Sequence, residues 1–138
     1  MKKRSNLSLF IIMLLFAFNA SACGMGEHVG GYENSDVKHA HTHWKAGAAS
    51  PIPFMFLDVR TPGEYSEGHI QGSVLIPVQQ LAERLSEVPK DKRVYVYCHA
   101  GIRSVRASNM LVAAGFTNIE NVEGGIEAWR RAGYPVVK

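Results

Sequence analysis

Cysteine is scarce in this chain: Cys23 and Cys98 are the two among 138 residues. That excludes the cysteine-dense scaffolds by which small secreted domains replace a hydrophobic core with disulfides. An excess of one charge is also missing. Lys and Arg number 15 against 12 Asp and Glu, and Lys2, Lys3 and Arg4 account for the whole difference. Beyond Arg4 the two signs balance, so no basic surface suited to nucleic acid is expected. No apolar run is long enough for a permanent membrane-spanning helix, which needs about 20 residues; the longest covers residues 7–18. No internal repeat is apparent, which removes solenoids and propellers. His39, His41 and His43 alternate, yet no thiol or carboxylate stands beside them at ligand spacing. On an extended backbone they share one side, and the stretch reads as polar rather than as a metal site; no metal or cofactor is expected.

What is present begins with an export signal. Lys2, Lys3 and Arg4 form a basic n-region, residues 7–18 an apolar h-region, and Ala20-Ser21-Ala22 a small-residue cleavage site, so residues 1–22 read as a signal peptide. Cys23 comes directly after it, and two fates stay open. The run resembles a bacterial lipobox, whose cysteine becomes the lipidated first residue; ordinary Ala-x-Ala cleavage would leave Cys23 as a free N-terminus. The expected location is outside the cytoplasm, periplasmic or anchored as a lipoprotein on the extracytoplasmic side. In either case Cys98 is left unpaired. Residues 23–49 read as a flexible tether, rich in glycine at Gly24, Gly26, Gly30 and Gly31. Residues 37–49 have room for the first elements of the domain, a strand end and a helical turn near residues 41–45. Pro51 and Pro53 end that segment, and residues 50–138 form one domain.

From there the pattern is regular. Residues 54–59 are a continuous apolar run broken by Asp58 alone, the mark of a strand covered on both faces. Thr61-Pro62-Gly63-Glu64 carries the spacing of a capping box with proline at the first helical position, so a short helix should stop at Gly68. Residues 74–76 make a second strand closed by Pro77. Leu81, Leu85 and Val88 recur at i, i+4 and i+7, the stripe of an amphipathic helix ended by Pro89. A β-rich run at residues 93–97 is the central strand. A helix opening at Ser104 presents Ala107, Leu111 and Ala114 and ends at Gly115; residues 119–122 are the last strand; Ile126 and Trp129 anchor a final helix. Such alternation predicts an α/β fold, a three-layer parallel sheet flanked by helices, with right-handed crossovers.

The chemistry gathers in residues 98–103, between a strand and a helix. There α/β sheets place their ligands, and helix amino termini favour anions. A thiol titrates near pH 8.5 in isolation, whereas helix amino termini and neighbouring cations bring cysteines down to about 3.5–7.5. Here the loop amides and Arg103, with Arg106 nearby, would favour a thiolate, a persulfide or a bound oxyanion.

These residues resemble a known family. Leu57-Asp58-Val59-Arg60, Glu64-Tyr65, Gly68-His69-Ile70-Gln71-Gly72-Ser73 and Ile76-Pro77 resemble the first half of a rhodanese domain. Tyr97-Cys98-His99-Ala100-Gly101-Ile102-Arg103-Ser104 resembles its active-site loop, and Gly115-Phe116, residues 122–126 and Ala128-Trp129 its closing segment. The resemblance implies a sulfurtransferase of the thiosulfate class. Cys98 would attack the outer sulfur of a small anionic donor such as thiosulfate, release sulfite and become a persulfide. A thiol or cyanide would then accept the sulfur, giving two-step covalent catalysis. The loop at His99, Ala100, Gly101, Ile102 and Arg103 would cradle the donor, with Arg103 steering its charge. Phosphatases sharing this fold place five residues between cysteine and arginine; here four separate Cys98 from Arg103, and position 104 is serine, which favours sulfur over phosphate. The other reading is a non-catalytic sulfur or persulfide carrier or interaction module using the same loop. Asp58 and Arg60 are expected to be a structural ion pair, His69 a packed histidine, and Trp129 core; His99 stands where it could tune charge or meet the donor.

Overall fold

The computed structural model describes residues 28–138. Residues 1–22, expected to be a signal peptide, and Cys23 lie outside the described residues. A six-stranded sheet runs in the order β1-β2-β6-β5-β3-β4, built from β1 (His28–Val29), β2 (Tyr32–Ser35), β3 (Phe54–Asp58), β4 (Val74–Leu75), β5 (Arg93–Tyr97) and β6 (Ile119–Val122). Every pairing is parallel except that of β1 with β2 at the edge. Four helices cover it: α1 (Val37–Ala46), α2 (Pro62–Glu67), α3 (Ile102–Ala113) and α4 (Gly125–Arg131).

The central strand shows why the sheet is sandwiched. Successive side chains of a strand point to opposite faces. Val94 and Val96 therefore join Leu57, Leu111 and Ile119 in one core under α3. Tyr95 and Tyr97 join Phe56, Ile126 and Trp129 in a second core that includes Ala40 of α1. Both faces are apolar and fully buried, so β5 is fixed in register and its carboxyl end is held rigidly for the loop beyond it.

The capping box is formed as expected. Thr61 Oγ1 accepts from Glu64 N at 3.3 Å, and Glu64 Oε2 accepts from Thr61 N at 3.0 Å. The final helix and last strand also stand where the pattern puts them. Asp58 and Arg60 make the expected ion pair, at 2.6 Å between Arg60 Nη2 and Asp58 Oδ2, both buried. Arg60 also donates to Gly68 O at 2.8 Å and Glu64 O at 3.2 Å, so it ties α2 to the sheet. His69 is packed as expected, its Nδ1 3.0 Å from Tyr65 O and its ring stacked on Tyr65.

In the described part of residues 23–49, the first elements of the domain are present: Gly30 and Gly31 take φ of 65° and 98°, folding β1 back on β2. β2 then pairs with β6. Two expectations fail in instructive ways. The alternating histidines lie on a full helix, not an extended strand. Asp36 caps α1 by accepting from His39 N at 2.7 Å. The helix sends His39 and His43 toward Tyr95, while His41 stacks on Tyr134 at 3.7 Å between centroids. Residues 81–88 form two 3₁₀ turns, Leu81–Glu83 and Leu85–Glu87, instead of one α-helix. Arg84 at φ −120° and ψ 20° separates them. Leu81 and Val88 are still buried; the spacing identifies the inward face, which two tight turns can also present.

Candidate active site

β5 ends in Tyr97, and Cys98 comes next with 1 % of its surface exposed. The chain then turns sharply. Gly101 adopts φ 115°, a left-handed conformation open to glycine at little cost, and α3 begins directly at Ile102. That turn aims the Gly101 amide inward, and its N–H donates to Cys98 Sγ at 3.1 Å. Sequence pattern alone places the helix start at Ser104. Ser104 instead lies inside the first turn, fully buried, with Oγ 3.5 Å from Cys98 Sγ and donating to Gly101 O at 3.1 Å. The nucleophile candidate thus sits on a floor of one backbone amide and one hydroxyl.

The outer wall comes from α4. Ile126 N donates to Cys98 O at 2.9 Å, and Glu127 N to His99 O at 3.1 Å. These bonds turn both loop carbonyls away from the sulfur and satisfy them. Gly125 packs against the same carbonyls so closely that a Cβ there would overlap the Cys98 and His99 oxygens. The glycine pair 124–125 is therefore a condition of the loop's shape.

The side chains at the rim carry paired charges. Arg103 donates from both Nη atoms to the two carboxylate oxygens of Glu64, each at 2.7 Å. This bidentate bond to Arg103 is the main reason the Glu64 carboxyl is pulled down to about 2, against the opposing effect of burial and with help from Thr61. His99 Nε2 lies 3.2 Å from Glu127 Oε1, both half-exposed. Ala100 is exposed, and Ile102 shows 86 % of its surface. Among the described residues no three His, Cys, Asp or Glu converge as a metal-binding group would.

Cys98, His99, Ala100, Gly101, Ile102 and Arg103 are therefore one contiguous loop, as the sequence suggests, but their duties differ. Gly101 provides the amide that reaches the sulfur, and the Arg103 guanidinium is turned to Glu64. Sequence reading misses Ser104, Gly125, Glu127 and the partnership of Glu64. Glu64 carries a signal, since its capping spacing marks it, but only for the helix. The contacts of Gly125 and Glu127 with the loop bring together residues more than twenty positions apart, which local pattern does not encode.

Comparison with known proteins agrees with this geometry. The family model described as rhodanese-like domain matches residues 40–132. A sulfurtransferase of Allochromatium vinosum is 40 % identical over 83 residues, 60 % of this chain and 78 % of that protein. The thiosulfate sulfurtransferase PspE of Escherichia coli is 39 % identical over 71 residues, 50 % of this chain and 68 % of that protein. A crystal structure of a rhodanese-related protein from Thermoplasma volcanium superposes with a TM-score of 0.68 at 37 % identity, covering 77 % of this chain and 98 % of that one. A buried cysteine cradled at the end of a central parallel strand, on a chain matched over most of its described length, makes this protein a member of the rhodanese-like domain family.

Proposed function

We propose that the protein is a sulfurtransferase that moves a sulfane sulfur through a persulfide on Cys98. The donor is thiosulfate or a similar sulfane compound, and the acceptor a thiol or cyanide. In the first step the Cys98 thiolate attacks the outer sulfur of the donor. The donor's S–S bond breaks, and its electron pair leaves with the sulfite or thiolate fragment. In the second step an acceptor attacks the sulfane sulfur, and Cys98 leaves as thiolate. The observation that carries the reading is the contact of Gly101 N–H with Cys98 Sγ at 3.1 Å, beside Ser104 Oγ at 3.5 Å. The Gly101 amide donates to the sulfur and favours the thiolate and the persulfide alike, while Ser104, whose hydroxyl donates to Gly101 O, braces the turn that aims it. The Cys98–Arg103 spacing, one residue short of the phosphatase loop, supports sulfur rather than phosphate as cargo.

Export belongs to the same proposal, with Cys23 either lipidated or left as a free N-terminus, and it rests on the sequence of residues 1–23 alone.

The decisive experiment is intact-mass spectrometry after incubation with a sulfane donor. The expected result is one added sulfur atom on the wild type, none on Cys98→Ser, and loss of the adduct on adding cyanide. Wild-type protein that gains no sulfur from any donor would rule the proposal out. An adduct that small acceptors leave intact and that a protein partner discharges would mark a carrier instead of an enzyme.

A further inference from the structure

The Arg103 guanidinium beside the Cys98 loop is already matched by a carboxylate. Arg103 is held by Glu64 through two bonds of 2.7 Å. Glu64 is itself fixed by Thr61, whose N and Oγ1 each lie 3.0 Å from its Oε2. It stays ionised across the physiological range, since Arg103 holds its pKa at about 2. His99 faces Glu127 at 3.2 Å, and the buried Arg60 guanidinium lies against Asp58. Arg106, one turn along α3, is exposed. The Gly101 amide at the sulfur and the exposed Arg106 one turn away are thus what remains for a ligand's negative charge.

Beside the charged pairs the loop also exposes apolar surface. Ile102 is 86 % exposed between Gly101 and Arg103, and Val105 is 38 % exposed three residues on, on the same face of α3. An isoleucine so exposed beside a nucleophile gives nothing to a hydrated dianion, whereas it can cover the carbon chain of an organic ligand.

Thiosulfate would bring two negative charges to a thiolate, and the guanidinium that would offset them is bound to a carboxylate. An organic persulfide brings at most one charge, together with an apolar group. We propose that the preferred donor is a small organic persulfide, R–S–SH, and that the Arg103–Glu64 pair selects it over thiosulfate. The inference rests on the sulfur-transfer reading above. In the step, Cys98 thiolate attacks the outer sulfur, and the new Cys98 S–S bond forms as the donor's own S–S bond breaks. R–S⁻ leaves and takes a proton from water. Charge and sulfur oxidation balance without any co-reactant.

The test measures the rate of persulfide formation on Cys98 by rapid quench and mass spectrometry. The donors are thiosulfate and the persulfide of 2-mercaptoethanol, each rate divided by that donor's rate with free cysteine in solution. The normalised rate for the persulfide should exceed that for thiosulfate by roughly tenfold, the scale on which one unscreened charge pair near a surface acts. Glu64→Gln frees the Arg103 charge while glutamine keeps the capping box, so it should shift the preference toward thiosulfate by about fivefold, less at high salt. Wild-type protein that loads from thiosulfate as fast as from the persulfide overturns the inference, and so does a preference unmoved by Glu64→Gln. Loading from neither donor overturns the sulfur-transfer reading and this inference with it.

Discussion

At Glu64 a single carboxylate serves two structures. Its oxygens close the capping box of α2 and grip Arg103 on the far side of the active loop. Because its folded pKa is about 2, below the ordinary carboxylate value of 4.5, its ionised form is favoured by folding. The stability it contributes is therefore complete above about pH 4.5 and is lost as pH falls toward 2. Thermal unfolding of wild type and Glu64→Gln should differ most at pH 5–7, with the wild type more stable, and converge near pH 2. A gap that stays constant between pH 6 and pH 2 would show that the Arg103–Glu64 bond contributes nothing. Ser104 illustrates a different economy of residues. Its hydroxyl is buried and bonded to Gly101 O, so it braces the turn that aims the Gly101 amide while itself facing the sulfur.

Among the elements, α1 meets the sheet through a polar contact as well as apolar ones. The Glu120 side chain is 3 % exposed; Arg93 Nε lies 2.9 Å from one oxygen and His39 Nε2 3.4 Å from the other, contacts without the alignment of hydrogen bonds. Burial pushes the Glu120 pKa up, and the Arg93 charge works against that. Removing Arg93 would leave a buried carboxylate without the cation that most opposes its burial. Arg93→Ala should then cost about 3 kcal/mol of stability, measured by denaturant unfolding, and a loss below about 0.5 kcal/mol would show that the carboxylate simply takes up a proton. The same element marks where sequence is hard to read. β3, α2, β5, β6 and α4 are legible because continuous apolar runs and caps are local signals, and the Cys98 loop is legible because its spacing is contiguous. α1 is not: Ala40 is its one buried residue, and its histidines suggest an extended alternation. The pair Glu64–Arg103, 39 residues apart in sequence, and the contacts of α4 with the loop carbonyls exist only once the sheet has brought them together.

For the whole molecule the remaining question is where this chemistry takes place, and covalent geometry bounds the answer. β1 starts at His28, five residues after Cys23, and five Cα steps of 3.8 Å reach no further than about 19 Å. β1 runs antiparallel to β2, and β2 runs parallel to β6 and β5. The chain therefore enters β1 from the end of the sheet that carries Cys98. β5 is the third strand along from β1 in the order β1-β2-β6-β5, which at about 4.8 Å per strand puts its edge some 14 Å away. If Cys23 carries lipid, the sulfur-handling end of the sheet is held within a few nanometres of the bilayer, in reach of acceptors at the membrane surface. If Cys23 is a free N-terminus, the domain diffuses away. Radiolabelled palmitate fed to cells expressing the full chain separates the two: label on wild type, none on Cys23→Ala, and release of the variant from the membrane fraction mark the anchor. Unlabelled wild type found wholly in the soluble periplasmic fraction would remove the anchor and leave simple export.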